Sequence, residues 1–381
     1  MEEKMMKVSN DVLLKKIELI VNKLMNLGGA DYERDKHTSG NETEMGKIAR
    51  DFGIEEWDWP QGVGLYGLLK LGDYYKDNRY DDFLDHWYKR NMEIGLPSKN
   101  VNTTAPYLTL VDLIDKFENP LYEKMCIERA EWLMNHLPRT KYDGFQHVTS
   151  AIGDRLGVRL NEGEIWIDTI FMTVLFLNKM GQKYNRQDWI SESIYQMLIH
   201  IKYLHDKKTG LFYHAWSFES NSNFGEVFWG RGNAWFTFAV MDYIESFGGT
   251  MDKGIQTYLI NIYQSQVEAL IKLQASSGLW HTVLTDPTSY EEVSGTAAIT
   301  TGILKGIQLG ILDSSYRKYA DKAISAICDN IDEEGTVLNV SAGTGVGNNA
   351  EHYKNIIIAP MAYGQSLALI ALCTALDKDN N

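Results

Sequence analysis

The chain alternates between two kinds of apolar segment. In the first kind, apolar residues recur at helical spacing with charged residues between them, as in residues 122–137 ("YEKMCIERAEWLMNHL") and in "DWISESIYQMLIHIKYLHD". In the second kind, nearly every position is apolar, as in "WIDTIFMTVLFL" and "GNAWFTFAVMDYI". The first pattern is typical of a helix with one exposed face, and the second is typical of a buried helix. We therefore predict outer and inner helices that alternate along the chain.

The inner segments repeat at a roughly constant interval. Four of them follow a glycine that precedes apolar or aromatic residues, at Gly144, Gly210, Gly278 and Gly335. Two earlier segments, "PQGVGLYGLLKLGDYY" and "NTTAPYLTLVDLIDKF", have the same character, which makes six units in all. Self-similarity of this kind indicates a stack of supersecondary units. We predict an all-α protein, an (α/α)6 barrel with six inner helices inside an outer layer, and keep an open helical solenoid as the alternative.

The predicted barrel occupies the whole chain, residues 1–381, as one domain. An amphipathic helix is expected at about residues 8–26, where apolar residues recur at helical spacing between Lys and Glu. This segment lacks the unbroken apolar core of a signal peptide, and no stretch of the chain approaches the length of a membrane span. We therefore expect a cytoplasmic protein without a membrane partner.

Composition excludes several other classes of function. The net charge of -14 argues against a nucleic-acid partner, because binding phosphates requires a basic surface. The three cysteines, Cys126, Cys328 and Cys373, have no metal-ligand spacing and form no disulfide framework. The chain contains no Walker loop, no GxGxxG and no GxSxG motif. We predict neither a metal nor a cofactor.

In a closed ring, the segments that lead into the inner helices meet at one end and enclose a cleft. These segments carry many polar and aromatic residues: Trp59 in "WDWPQG", Asn102 in "NVNTTAP", His147 in "YDGFQH", Asp168 and Met172 in "WIDTIFM", His214 in "YHAW", and Trp229, Arg231 and Trp235 in "WGRGNAW". The glycines beside Arg231 permit a close backbone approach. A guanidinium group can bind a carboxylate through two hydrogen bonds.

Asp168 stands among apolar residues, where an unpaired charge is costly. It could cap its helix, since Asp is favoured at that position. Trp229 and Trp235 could belong to the core, and Arg231 could pair with Asp168 or Glu226. The equivalent placement of all these residues in the repeat favours a functional site, and the apolar surroundings are expected to raise the pKa of Asp168.

The motifs "WIDTIFM", "YHAW", "WGRGNAW" and "WPQG" resemble those of glycoside hydrolase family 105, the unsaturated rhamnogalacturonyl hydrolases, and of the related unsaturated glucuronyl hydrolases of family 88. The resemblance extends from about Trp57 to the C-terminal "NIIIAPMAYGQSLALIAL". It implies an (α/α)6 barrel that releases a terminal 4,5-unsaturated uronic acid from lyase-generated oligosaccharides, with unsaturated galacturonyl-rhamnose as the expected substrate.

The resemblance also implies the roles of the residues. Asp168 is the expected general acid and base, and it acts by hydrating the C4=C5 double bond. The expected substrate-binding residues are Trp59, Asn102, His147, Met172, His214, Trp229, Arg231 and Trp235. The family has a second aspartate where this chain has Asn102, so the resemblance supplies no second carboxylate at that position.

Three rival functions stay open, because a fold hosts many activities. An inverting hydrolase would need a second carboxylate, for which Asp58 is the candidate. A sugar epimerase would use His214 and His281. A sugar-binding scaffold would bind oligosaccharides without turnover. In each case the partner is a small oligosaccharide, and we expect a monomer or a homodimer.

Overall fold

The computed structural model describes residues 7–28, 52–151 and 154–376. The helices of these ranges are α1 (Asn10–Met25), α2 (Trp59–Tyr75), α3 (Asp81–Ile94), α4 (Tyr107–Phe117), α5 (Pro120–Asn135), α6 (Leu175–Tyr184), α7 (Gln187–Leu204), α8 (Gly230–Ser246), α9 (Lys253–Lys272), α10 (Val293–Gln308), α11 (Arg317–Asp329), α12 (Ala350–Lys354) and α13 (Ala362–Ala375). None of these helices is long and apolar enough to cross a membrane.

Six of the helices form a closed inner ring. They are α2, α4, α6, α8, α10 and α13, each packs against the next, and α13 returns to pack against α2. The outer layer consists of α3, α5, α7, α9 and α11 together with α1, which packs against α13. The predicted (α/α)6 barrel is therefore confirmed, and the open solenoid is wrong. Helix α1 lies within the predicted range 8–26, while a single domain over residues 1–381 stays a prediction.

Small residues let the inner helices approach each other closely. A Cβ atom on Gly67 of α2 would lie 2.3 Å from the hydroxyl of Ser366 on α13. A Cβ atom on Gly302 of α10 would lie 2.4 Å from the carbonyl oxygen of Thr237 on α8. Neither site has room for a larger side chain unless the helices separate, so these glycines set the width of the ring.

The repeat has a structural cause at the start of the inner helices. The side chain of Asn233 bonds both the backbone N–H and the carbonyl of Phe212, in the segment that precedes its helix. Thr296 accepts from the N–H of Trp280, and Gln365 accepts from the N–H of Val337. In three units, therefore, a polar side chain in the first turn of the inner helix forms a hydrogen bond with the glycine-aromatic segment that precedes the helix.

Short strands lie at the same end of the barrel. They form three antiparallel pairs: β1 (Thr149–Ser150) with β2 (Val158–Arg159), β3 (Glu164–Trp166) with β4 (Ala215–Ser217), and β5 (Trp280–His281) with β6 (Glu291–Glu292). Pairing with β4 makes Glu164–Trp166 a strand. Asp168 was predicted among the first residues of an inner helix, but it lies in the turn after β3. A π-helical segment, Ile170–Val174, then leads into α6.

Candidate active site

The segments that lead into the inner helices enclose a cleft with a cavity of about 140 Å³. Six of the predicted site residues line it: Trp59, Asn102, His147, Asp168, Met172 and Trp229. The cleft is therefore where the sequence predicted it, at the N-terminal ends of the inner helices. His214, Arg231 and Trp235 lie behind its surface.

Asp168 is the carboxylate at the bottom of this cleft, and its side chain is 15% exposed. Its atom Oδ2 lies 3.3 Å from Nε2 of His214, a polar contact without the alignment of a full hydrogen bond. The Asp168 side chain caps no helix, because it accepts no hydrogen bond from a backbone N–H of the segment that follows it, and its Oδ2 has no hydrogen-bond partner among the described residues. The capping interpretation is wrong, and the carboxylate is available to a bound molecule.

His214 is held in place by a second hydrogen bond. Its Nδ1 lies 2.9 Å from the hydroxyl oxygen of Tyr353, which itself accepts a hydrogen bond from the N–H of Gly347. Nε2 of His214 faces the Asp168 carboxylate, which can only accept, so in the neutral ring Nδ1 accepts the proton of the Tyr353 hydroxyl. The histidine proton then sits on Nε2 and faces Asp168. No sequence pattern pointed to Tyr353, which reaches the site from α12.

Two histidines oppose the effect of burial on the pKa of Asp168. Burial raises the pKa of this carboxyl group, but the contact with His214 and the nearby His147 outweigh that effect, so the pKa is lowered from its ordinary value. The expectation of a raised pKa was therefore wrong for the free site. Apolar neighbours can be read from the sequence, whereas the two histidines that oppose their effect come from other segments.

His147 forms one wall of the cleft. Its ring stacks on Trp166 with a centroid distance of 4.2 Å, and its Nδ1 lies 2.7 Å from the hydroxyl of Thr169. Burial lowers the pKa of His147 to about 3, so the ring is neutral near pH 7. A neutral imidazole beside an aromatic plane suits hydrogen bonding to a sugar rather than pairing with an anion.

Arg231 does not reach the cleft. Its side chain is 1% exposed, and its guanidinium donates to the carbonyl oxygens of Ser341 and Ala342 and to the hydroxyl of Thr344. It also lies 3.5 Å from Glu292, which is its ion-pair partner instead of the predicted Asp168 or Glu226. The structure therefore gives Arg231 a different task from the predicted contact with a substrate carboxylate. It holds the loop 341–345, whose residues Gly343–Gly345 line the cleft.

Trp235 also lies outside the cleft, because its side chain is fully buried. It packs edge-to-face against Trp59 at a centroid distance of 6.2 Å, while Trp59 stacks on Tyr363 at 4.5 Å. Trp235 thus supports the ring of Trp59, which does line the cleft. The core interpretation, considered for both tryptophans of "WGRGNAW", is correct for Trp235.

Several residues that line the cleft were missed by the sequence analysis. They are Thr149, Ser150, Arg159, Trp166 and the segment Gly343–Gly345. Thr149 and Arg159 face each other in the β1–β2 pair. The sequence offered one signal, the glycine-rich stretch "GTGVGNN", which was considered only as a phosphate loop.

The residues required by two rival functions lie elsewhere. Asp58 is 2% exposed; it caps α2 through the N–H of Trp59 and accepts a hydrogen bond from Ser150. His281 bonds the carbonyl oxygen of Ser289 and is absent from the cleft lining. Neither the second carboxylate of an inverting hydrolase nor the second histidine of an epimerase is supplied by these residues.

In the described ranges, no three His, Cys, Asp or Glu side chains are grouped so that they could hold a metal ion.

Comparisons with known proteins show the family of this chain. The model of the family described as Glycosyl Hydrolase Family 88 matches residues 34–378. The chain is 32% identical over 331 residues to the unsaturated rhamnogalacturonyl hydrolase YesR of Bacillus subtilis (strain 168), covering 86% of this chain and 92% of that protein. It is 32% identical over 179 residues to an unsaturated 3S-rhamnoglycuronyl hydrolase of Alteromonas sp. (strain LOR), covering 45% of this chain and 42% of that protein.

A solved structure shows the same fold. It is described as a possible member of the GH105 family from Salmonella enterica subsp. enterica serovar Paratyphi A, and it superimposes with a TM-score of 0.89 at 35% identity. The superposition covers 98% of this chain and 96% of that chain. The family model matches far more than half of the chain, so the resemblance found in its motifs is confirmed. The chain belongs to Glycosyl Hydrolase Family 88 and is a glycoside hydrolase.

Proposed function

We propose that this enzyme releases a terminal 4,5-unsaturated uronic acid from lyase-generated oligosaccharides, with Asp168 as both general acid and general base. The observation that carries the proposal is the pair formed by Asp168 and His214. The carboxylate faces an aromatic-walled cleft, and the imidazole behind it is fixed by Tyr353. Of the described residues that line the cleft, Asp168 is the one with a carboxyl side chain.

The proposed reaction needs one carboxyl group. Protonated Asp168 gives its proton to C4 of the substrate, and the C4=C5 π electrons form the new C4–H bond. The cation that results at C5 is stabilised by the ring oxygen. The Asp168 carboxylate then takes a proton from a water molecule, whose oxygen bonds C5. The resulting hemiketal opens to a ketone at C5, and the new hemiacetal at C1 expels the rest of the saccharide as an alcohol.

The lowered pKa of Asp168 in the free site bears on the first step. A general acid must be protonated when the substrate is bound. An unsaturated uronate brings a carboxylate into the cleft and displaces water, and both effects favour the neutral form of a nearby aspartate. His214, on the far side of the carboxylate, keeps Asp168 oriented in either protonation state. We infer that binding of the substrate raises the pKa of Asp168 and so prepares the acid.

Unsaturated galacturonyl-rhamnose is our first choice of substrate. The relative that covers most of this chain is an unsaturated rhamnogalacturonyl hydrolase, which supports this choice. The Alteromonas relative, an unsaturated 3S-rhamnoglycuronyl hydrolase, supports a sulfated neighbouring sugar as the second choice. The cytoplasmic location, the origin of the substrate in pectin, and a monomeric or dimeric state remain predictions.

Turnover of unsaturated disaccharides tests the proposal. The enzyme is incubated with galacturonyl-rhamnose, glucuronyl-rhamnose 3-sulfate and glycosaminoglycan disaccharides that carry a 4,5-unsaturated uronate, and loss of ultraviolet absorbance is followed. Asp168→Asn should bind the preferred disaccharide but lose at least 10²–10⁴-fold in turnover, roughly the contribution of an acid–base group. Asp82→Asn, on the exposed surface of α3, is the matched control and should keep full activity. Near-normal turnover by a folded Asp168→Asn variant would remove Asp168 from the mechanism.

A further inference from the structure

The proposed substrate is an anion, so the positive charges around the cleft need to be identified. Among the described residues that line the cleft, Arg159 is the one Arg or Lys side chain. His147 is neutral near pH 7, because burial lowers its pKa to about 3. Arg231 is buried, ion-paired with Glu292 and bonded to the loop 341–345. Neither of these two groups can offer a free positive charge to a ligand in the cleft.

Arg159 differs from Arg231 in each of these respects. It is exposed, and its guanidinium makes no hydrogen bond or ion pair with another described residue. The nearest acidic side chain whose charge it affects is Glu164, and that carboxylate already accepts a hydrogen bond from Nε1 of Trp166 at 2.7 Å. All five N–H donors of Arg159 are therefore available to a ligand.

The position of Arg159 is fixed by the β1–β2 pair. Arg159 stands opposite Thr149, and both residues line the cleft together with Ser150. The pairing places the guanidinium of Arg159 and the hydroxyl-bearing Thr149 on the same rim, whereas the buried hydroxyl of Ser150 donates to Asp58. Trp166 adds an aromatic surface to the wall below them. This combination suits an oxyanion carried by a sugar ring, because guanidinium binds such groups through two parallel hydrogen bonds.

We propose that Arg159 binds an anionic group of the substrate and makes the cleft selective for charged over neutral sugars. The inference rests on the proposed function for the nature of the substrate, but it concerns a residue outside the expected set. Two sources could supply the anion: the carboxylate of the unsaturated uronate, or a sulfate ester on the neighbouring sugar. Both present oxygens in a geometry that a guanidinium fork can match.

Binding measurements test this proposal independently of turnover. Dissociation constants are measured by calorimetry in the Asp168→Asn background for unsaturated galacturonyl-rhamnose, its methyl ester, and a rhamnose 3-sulfate analogue. Arg159→Ala should weaken binding of the anion that it contacts by about tenfold, the loss expected for one charge-assisted hydrogen bond at a partly solvated site. Arg159→Lys should recover only part of this loss, because an ammonium group lacks the fork. Lys208→Ala removes an equal charge from the surface outside the cleft and should change none of the three constants.

The pattern of losses identifies the source of the anion. If the free acid loses affinity and the methyl ester does not, Arg159 binds the uronate carboxylate. If the sulfated analogue alone loses affinity, it binds the sulfate. Equal losses for all three ligands, or no loss for any, would overturn the proposal. Binding that depends on Arg159 without turnover by the wild-type enzyme would contradict only the proposed function.

Discussion

The hydroxyl oxygen of Tyr353 lies 2.9 Å from Nδ1 of His214, and both side chains are buried. Tyr353 belongs to the five-residue helix α12, whereas His214 directly precedes β4. Their contact leaves Nε2 of His214 to carry the proton that faces Asp168. A residue far away in the sequence thus controls the orientation of the imidazole next to the proposed acid.

Tyr353→Phe removes this control while it keeps the aromatic ring. We expect kcat to fall by about tenfold with little change in KM, because a lost hydrogen bond of about 1–1.5 kcal/mol affects the reacting group more than the bound sugar. Tyr243→Phe is the matched control, since Tyr243 is buried and its hydroxyl bonds Ser193. Equal effects of the two variants on kcat would show that Tyr353 has only a structural role.

Arg231→Ala should reduce kcat/KM by the same factor for a uronate substrate and for its methyl ester. The reason is that Arg231 acts through the loop 341–345 and has no access to the substrate carboxylate. The variant should also lose about 3–5 kcal/mol of stability, because it leaves Glu292 buried without its partner. Steady-state kinetics on both substrates and chemical denaturation measure these effects. A clearly larger loss for the acid would restore the direct contact with the carboxylate.

The sequence was sufficient to predict the barrel because its signals are local. An amphipathic period identifies an outer helix, and the recurrence of glycine-aromatic segments identifies the units of the ring. The same signals placed Trp59, Asn102, His147 and Asp168 at one end of the barrel. No long-range information was needed for these assignments, since each residue leads directly into its own inner helix or precedes it in the same repeat.

The position of the Arg231 guanidinium depends on partners that are distant in the sequence. The sequence pattern around Arg231 does not identify those partners. Glycines around Arg231 correctly indicated close packing, but its contacts with Glu292 and Ser341 hold its buried guanidinium behind the loop that lines the cleft. Arg159 belongs to none of the motifs. Its place at the cleft follows only from its strand pairing with Thr149. Contacts between loops have no periodicity, so they leave no pattern to read.

The rate should depend on pH in a direction set by Asp168. The pKa of this carboxyl group in the free enzyme is lowered, so the protonated form becomes rarer as the pH rises above that value. Because kcat/KM reports groups of the free enzyme, it should fall toward tenfold per pH unit as the pH increases from about 5 to 8. Initial rates at low substrate concentration measure this slope. A value of kcat/KM that is constant over the range would mean that Asp168 is not the acid.

Asn102→Asp tests how the missing second carboxylate shapes this dependence. Asn102 lines the same cleft as Asp168, and a like charge nearby favours the neutral form of a carboxyl group. We expect the pKa of Asp168 to rise and the decline of kcat/KM to begin at a higher pH than in the wild-type enzyme. An unchanged pH profile would show that the side chain at position 102 does not interact electrostatically with Asp168.

Buried neutral histidines should make the fold less stable in acid. Burial lowers the pKa of His200 to about 4 and that of His147 to about 3, whereas both exceed 6 in the unfolded chain. Between those values the unfolded state binds more protons, so the free energy of unfolding falls as the pH decreases. His200→Leu should reduce this slope by about 1.4 kcal/mol per pH unit between pH 4.5 and 6, measured by urea unfolding. An unchanged slope would mean that His200 is protonated in the folded state.

The position of deuterium in the product tests the central claim, hydration of the double bond by Asp168, most directly. The reaction is run in heavy water with unsaturated galacturonyl-rhamnose, and C4 of the released uronate is followed by NMR at early times. A proton donor fixed on one side of the sugar delivers its proton to one face, so we expect one deuterium on a single face of C4, appearing as fast as rhamnose is released. Direct hydrolysis at C1 would release a sugar whose C4=C5 bond is still intact. Early accumulation of that unsaturated sugar, or deuterium divided between both faces of C4, would contradict the account.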